Sequence, residues 1–206
     1  MFYRGGVIMS KNDIAIIKRL NELYKGVDQN IKKLLLNSNT KYALFSDLHL
    51  GDGKKADNFV HNEETMIFAL NFYKNNGYSV IFLGDLEELW QFDFNRIKDR
   101  YDESIYRLLR SFPENKVHRI FGNHDKEWKR PSDPIFNDGN IQYRTPEAIK
   151  LGNYVFLVHG HQGDYFCDKV AWFSKFWARG AKFLVPVGKI FGYENRSATR
   201  ALEKKN

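Results

Sequence analysis

Cysteine is almost absent from this 206-residue sequence, which excludes the small secreted proteins that depend on disulfide bonds. Cys167 is the single cysteine, so no intramolecular disulfide can form. A lone thiol suits a reducing compartment. We expect Cys167 to be a small buried side chain rather than a nucleophile.

Long uncharged runs are also missing. No stretch approaches the ~20 apolar residues of a membrane-spanning helix. The apolar residues between Met1 and Ser10 are too few and too interrupted for a signal peptide, so we expect a cytoplasmic protein. The formal net charge of +7 indicates anionic partners, such as phosphates, nucleic acid or an acidic membrane surface, without selecting one of them.

Four short apolar runs are present, and each stops at polar residues. Each has the length and the aromatic and aliphatic content of a buried strand. Side chains two positions apart on an extended strand point the same way, so we expect Asp47 and His49 to project together. The runs and their endings are Tyr42–Phe45 before Ser46-Asp47-Leu48-His49, Val80–Leu83 before Gly84-Asp85, Val117–Phe121 before Gly122-Asn123-His124-Asp125, and Tyr154–Val158 before His159-Gly160-His161.

The recurrence of these endings indicates a ligand site. In open α/β sheets, ligands bind beyond the carboxyl ends of the strands, where the four endings would gather their polar groups. Gly, Asn and Asp favour turns in any case, but turn chemistry does not explain a histidine at three of the four ends. Carboxylate, amide and imidazole groups without thiolate suit Mn, Fe or Zn better than Ca.

In their order, these motifs resemble those of the calcineurin-like metallophosphoesterases, from about Tyr42 to Asp164. The resemblance implies an α/β fold in which helices flank a sandwich of two β-sheets (α/β/β/α), with two divalent metal ions at the strand ends. We expect the second sheet to be incomplete. The residues around Asp47 and at positions 84–90 look most like the branch that contains the UDP-2,3-diacylglucosamine pyrophosphatases.

The resemblance also implies a role for each polar residue. His124 would be the general acid that protonates the leaving oxygen, and Asp125 would orient its ring. His161 is left open between a metal ligand and a substrate contact. Mn²⁺ is the expected ion, with Fe²⁺ or Zn²⁺ as alternatives. The other expected metal ligands are Asp47 and His49 at one ion, Asn123 and His159 at the second, and Asp85 between them.

The sequence departs from the family pattern at two places. The diacylglucosamine pyrophosphatases typically carry Arg where this chain has His124, which favours generic phosphoesterase chemistry. The family's last motif, Gly-His-x-His, supplies two further metal ligands, whereas no histidine follows His161. We therefore expect the N-terminal part of a larger enzyme, with a degenerate family member as the alternative.

Helical periodicity and charge organise the rest of the chain. Apolar spacing predicts helices at residues 10–24, 63–75 and 97–111. Ile31 to Leu36 is expected to add a helical turn or two. Glu87 and Glu88 are interpreted as a solvated helix face, and His61 as a solvated loop residue.

Residues 165–206 differ in character from the predicted core at residues 1–164. Nine Lys or Arg against three Asp or Glu give this segment a local net charge of +6, and aromatic residues are interleaved with the basic ones. We favour core-packing helices with basic outer faces. The alternative is a lid that grips a lipid-bearing substrate or lies peripherally on an anionic membrane.

The sequence thus predicts a two-metal hydrolase of phosphoester or pyrophosphate bonds. The expected substrate is a phosphorylated small molecule or a lipid-linked nucleotide. An inactive or truncated remnant that binds metal or nucleotide is the alternative from a different class. A nuclease is less favoured, because it would require the basic tail to bind nucleic acid in a salt-sensitive way.

Overall fold

The computed structural model describes residues 3–4, 7–8, 10–26, 31–129 and 145–163, and two three-stranded sheets form the centre of this part. The first sheet has the order β4-β5-β6, with all strands parallel. The second has the order β3-β7-β8, with β3 parallel and β8 antiparallel to β7. The strands are β1 (Tyr3–Arg4), β2 (Val7–Ile8), β3 (Ile31–Leu34), β4 (Tyr42–Phe45), β5 (Ser79–Leu83), β6 (Val117–Ile120), β7 (Ala148–Leu151) and β8 (Val155–Val158).

The helices begin and end close to the positions that the sequence predicts. Ser10 caps α1 by accepting a hydrogen bond from the backbone of Asp13, and Gly26 ends it with a left-handed φ of 72°. The third predicted helix contains a turn of π-helix at residues 102–106 between α3 and α4. The helices are α1 (Lys11–Lys25), α2 (Glu63–Asn75), α3 (Phe94–Tyr101) and α4 (Arg107–Arg110), and short 3-10 turns span Phe59–Asn62, Lys126–Lys129 and His161–Gly163.

Alternating side chains of β5 build the two cores of the molecule. Val80 and Phe82 face the helices α2–α4, whereas Ile81 packs against Ile149 of the second sheet. On the outer face of the second sheet, α1 packs through Tyr24, which contacts the ring of Phe156. The described residues therefore form helix, sheet, sheet and helix layers, and the predicted α/β/β/α architecture is confirmed with two small sheets.

Two local expectations change. Ile31–Leu34 is strand β3 rather than helix, because it pairs in parallel with β7 and tertiary pairing overrides a short apolar pattern. The four predicted runs also do not share one sheet, since β8 lies in the second sheet. None of the helices in the described ranges combines the length and the apolar content that crossing a membrane requires.

Candidate metal centre

The candidate site lies where β4 and β5 end, and its backbone there is left-handed. Asp47, His49 and Asp85 have φ angles of 56°, 52° and 54°. For residues other than glycine such angles cost about 1–3 kcal/mol each, and they cluster at active sites. Because β4 ends at Phe45, the prediction that an extended strand aligns Asp47 with His49 is wrong. Two hydrogen bonds hold this turn instead, from Asp47 N to Gly84 O and from His49 N to Asp85 O.

Two glycines allow the strand ends to approach each other closely. A Cβ at Gly122 would overlap Asp85 Oδ1, and a Cβ at Gly84 would lie 2.7 Å from His159 Nδ1. Gly84 also has a positive φ of 87°. No larger residue fits at either place without moving the site, so the glycines bring three strand ends around one carboxylate.

Asp85 occupies the centre of the site. Its Oδ1 accepts a hydrogen bond from the backbone of His124 at 2.8 Å, and its Oδ2 lies 3.2 Å from His159 Nε2 and 3.8 Å from His49 Nε2. Burial acts to raise the pKa of Asp85, but the hydrogen bond and charge of His159 outweigh it and hold the pKa below its usual value. Burial acts to lower the pKa of His159, whereas Asp85 raises it to about 9. Asp85 is therefore ionised at neutral pH, as a metal ligand must be.

Two groups of potential ligands share Asp85. One consists of His49, Asp85 and His124, the other of Asp47, Asp85 and His159, and in each the ligand atoms lie within 4.8 Å of one another. Asp47 Oδ1 is also 3.8 Å from His49 Nε2, the pair that the family resemblance assigns to one ion, although the two residues fall in different groups here. Nitrogen and oxygen donors on both sides of one buried carboxylate fit two divalent cations.

Asn123 and His161 lie beside the second group. Asn123 Oδ1 is 3.2 Å from His159 Nε2, so its amide oxygen faces the same space. The Nε1 of Trp90 donates to the Asn123 carbonyl at 2.8 Å and holds this turn in place. The buried ring of His161 has its centroid 5.7 Å from that of His159, and it belongs to neither ligand group.

Glu88 holds the two histidines on the other side of the site. One carboxylate oxygen lies 3.0 Å from His49 Nδ1, and the other lies 2.8 Å from His124 Nδ1. Burial acts to raise the pKa of Glu88, but the hydrogen bonds with His124 and His49 hold it below its usual value. The interpretation of Glu88 as a solvated residue is wrong, because only 5% of it is exposed. The His124 ring also stacks on Trp90, with 4.0 Å between ring centroids.

Asp125 does not contact the His124 ring, which corrects the orienting role expected of it. Its carboxylate accepts hydrogen bonds from the backbone of Gly122 and Leu86 and from Arg119 Nη2, at 2.6, 3.0 and 2.8 Å. Asp125 therefore stabilises the turn that follows β6. The carboxylate that contacts the His124 ring is that of Glu88.

Glu87 belongs to the same buried network as Asp125. The guanidinium of Arg119 binds both Glu87 oxygens, and Trp128 Nε1 donates to one of them at 2.9 Å. Glu87, Arg119 and Asp125 are each 0% exposed, so the interpretation of Glu87 as a solvated residue is also wrong. Trp128 thus contributes to the support of the site through Glu87.

Two glutamates of the site region were thus misread from the sequence. The signal that could have identified them is their setting, since Leu86, Leu89 and Trp90 surround the pair with apolar residues that are all buried. His61 is exposed, in agreement with its interpretation. Cys167 and the segment at 165–206 lie outside the described residues, as does the Ile141–Tyr143 stretch, for which the sequence predicts a short strand.

A comparison with protein-family models identifies the family of the chain. The model described as calcineurin-like phosphoesterase matches residues 40–196, a range that contains every residue of the two ligand groups. Neither the curated proteins nor the solved structures gave a significant match.

Proposed function

The chain belongs to the calcineurin-like phosphoesterase family of metal-dependent hydrolases, and on this premise we propose that it hydrolyses phosphoester or pyrophosphate bonds with two divalent cations. The proposal rests on the position of Asp85, because this one buried carboxylate is common to both ligand groups. Two cations that share a carboxylate neutralise the charge of a phosphate and supply a nucleophile from water near neutral pH.

The proposed ligands follow from the distances around Asp85. Oxygen and imidazole nitrogen donors without thiolate suit Mn²⁺, Fe²⁺ or Zn²⁺, and Mn²⁺ is the ion proposed here. The Ser46 hydroxyl donates a hydrogen bond to the Asp47 carboxylate and so helps to position this ligand. His161 is kept as a further candidate on the side of His159. The ligands proposed for the two ions are Asp47, His49, Asp85, Asn123 and His159.

His124 is proposed as the general acid. The Nδ1–H of its ring donates to Glu88, so the nitrogen that delivers a proton to the leaving oxygen is Nε2. Stacking on Trp90 fixes the plane of the ring, and the backbone N–H of His124 is anchored on Asp85. The acid is thereby attached to the same carboxylate that the two ions share, which sets its position relative to the reacting phosphate.

The substrate is proposed more coarsely than the reaction. A phosphorylated small molecule, including a nucleotide-sugar lipid of the kind suggested by residues 84–90, is compatible with this chemistry. An inactive remnant is the competing reading. The two are separated by turnover, since a remnant would bind ions around Asp85 without cleaving any ester.

The test is an Asp85→Asn variant with Asp99→Asn as its matched control. Asp99 is an exposed residue of α3 that undergoes the same chemical change away from the site. We expect Asp85→Asn to lose most of its bound Mn²⁺ and its activity on p-nitrophenyl phosphate, while Asp99→Asn keeps both. Elemental analysis and circular dichroism report metal content and folding. Unchanged metal content in folded Asp85→Asn would overturn the proposal.

A further inference from the structure

A cleft opens directly beside the candidate metal centre. It encloses about 330 Å³, within the range of small-ligand pockets, and Asp47, His49 and Glu88 form its wall on the side of the site. A second cavity of about 260 Å³ shares Asp47 and Asn62 with it and continues along α2 toward apolar side chains. The two cavities are therefore neighbours, and together they extend from the ligand groups along α2.

We propose that this cleft binds the leaving group of the substrate, and that this group is neutral, of about nucleoside size, and carries both apolar surface and hydrogen-bonding groups. The inference rests on the proposed function and deepens it, because it names the class of ester that the site takes. The proposed acid, His124, lies against two residues of the cleft wall. Its ring centroid is 4.6 Å from that of His49, and its Nδ1 is bonded to Glu88.

Two asparagines supply the hydrogen-bonding capacity of the cleft. Asn58 and Asn62 occupy the N-cap positions of the Phe59–Asn62 turn and of α2, yet neither side chain makes a capping hydrogen bond. Their backbones are helical, with φ of -77° and -105°, so their side chains are not engaged in capping. Both side chains line the cleft instead, where their amides can donate to and accept from a bound molecule.

Apart from His49 and Gln91, the remaining lining of the cleft is apolar or negatively charged. Phe59 and Phe92 form part of its wall, and aromatic side chains provide flat apolar surface for a ring. Among the described lining residues of both cavities none is Lys or Arg, and Asp47 and Glu88 are acidic. A second phosphate in this cleft, beyond the one at the metal ions, would have no Lys or Arg to pair with and would lie near the Glu88 carboxylate, which disfavours an anionic leaving group.

Two measurements test the proposal. In the first, adenosine is titrated calorimetrically into the metal-free protein, so that binding is measured without turnover. We expect wild type to bind adenosine, and Asn62→Ala to weaken that binding by about three- to tenfold, the effect of one neutral hydrogen bond. Asn71→Ala is the matched control, because Asn71 lies on α2 and bonds to the Ile67 carbonyl outside the cleft. It should bind adenosine as wild type does.

The second measurement compares turnover of adenosine monophosphate and adenosine diphosphate by the Mn²⁺-loaded protein. Cleavage of the first releases neutral adenosine, whereas cleavage of the second at its terminal phosphate releases an anion. We expect a higher kcat/KM for the monophosphate, and we expect Asn62→Lys to narrow the difference by placing a cation in the cleft.

The outcomes separate this inference from the proposed function. Equal or faster turnover of the diphosphate would overturn the inference and leave the hydrolase standing. Adenosine that fails to bind, or binds equally to wild type and Asn62→Ala, would also overturn it. Adenosine binding that depends on Asn62 would support the cleft even if no phosphate ester were cleaved, and that absence of cleavage would count against the proposed function alone.

Discussion

Glu87 and Glu88 are consecutive in the chain, but they organise two different regions of the molecule. Glu87 lies in a buried network with Arg119 and Asp125, in which all three residues are 0% exposed. Glu88 lies at the rim of the metal centre, where its carboxylate joins the rings of His49 and His124. The first region holds the turns after β5 and β6 through hydrogen bonds to Asp125, and the second places Glu88 and His49 in the wall of the cleft.

The two regions differ in the property that a substitution should change. In the buried network, each charge is out of water and depends on its partners, so the loss of one partner leaves others uncompensated. At the rim, the histidines are partly exposed, and their position and protonation are what the chemistry needs. Changes in the buried network should therefore appear mainly as lost stability, and changes at the rim mainly as lost metal binding or turnover.

Arg119→Met is expected to give the largest effect in this comparison. It would leave the carboxylates of Glu87 and Asp125 buried without their cation, and breaking such a network costs about 3–5 kcal/mol of folding free energy. Arg110→Met is the control, because Arg110 pairs with Asp102 at the surface, where an ion pair contributes about 0–1 kcal/mol. Urea denaturation measures both. Equal stability of the two variants would break the distinction between buried and exposed pairs.

His124→Asn should change catalysis rather than stability. If His124 protonates the leaving oxygen, its loss should slow phenyl phosphate by about 10²–10⁴-fold and p-nitrophenyl phosphate, whose leaving group needs little protonation, far less. Steady-state kinetics on the two esters checks this. An equal loss on both would indicate that His124, a member of one ligand group, holds a metal ion instead.

Glu88→Gln sharpens the contrast with its neighbour. The amide keeps the size of the side chain but removes the charge that both imidazole rings contact, and losses of this kind cost about 10–100-fold in metal affinity or activity. We expect Mn²⁺ affinity, measured by calorimetry, to fall by that factor with little change in the urea midpoint. A large loss of stability with unchanged Mn²⁺ affinity would place Glu88 with Glu87 in the supporting network.

A smaller effect is expected from His118, which precedes Arg119 on β6. Its Nδ1 is buried without a hydrogen bond, and burial, with Lys32 and Lys116 nearby, lowers its pKa to about 4. Because the folded pKa lies below the unfolded value of about 6.5, the folded state loses stability as the pH falls below about 6.5. Between pH 6.5 and 5 the loss should be about 1–2 kcal/mol, at about 1.4 kcal/mol per pH unit.

His118→Leu should flatten this dependence, whereas His61→Gln, at an exposed position, should keep it. Unfolding by urea at several pH values gives the comparison. If stability falls equally in both variants, the acid sensitivity comes from groups other than His118.

Much of the fold and of the site could be predicted because it depends on local rules. The β4–α2–β5 unit follows from two apolar runs separated by a helical pattern, an order that favours parallel strands, and its strands are parallel. Asp47, His49, Asp85 and His159 could be selected because each follows a predicted strand, and strand ends converge at one edge. The structure brings Asp47, His49 and His159 together around Asp85, although His159 follows β8, a strand of the second sheet.

What a short polar motif does could not be predicted in the same way. Glu87 and Glu88 have the same side chain and lie side by side in the sequence. Which of the two glutamates pairs with Arg119 depends on strand β6, about 30 residues further along the chain. The same holds for Ile31–Leu34, whose strand structure exists only because β7 pairs with it.

The sequence by itself therefore determined the elements and the list of chemical groups, because hydrophobic periodicity and turn residues act over a few positions. Only the tertiary structure decided how those groups are paired. A carboxylate's partners, its burial and its ionisation are set by residues that are distant in the chain and meet after folding. This is why Asp125 braces a turn and Glu88 holds the rings of His49 and His124.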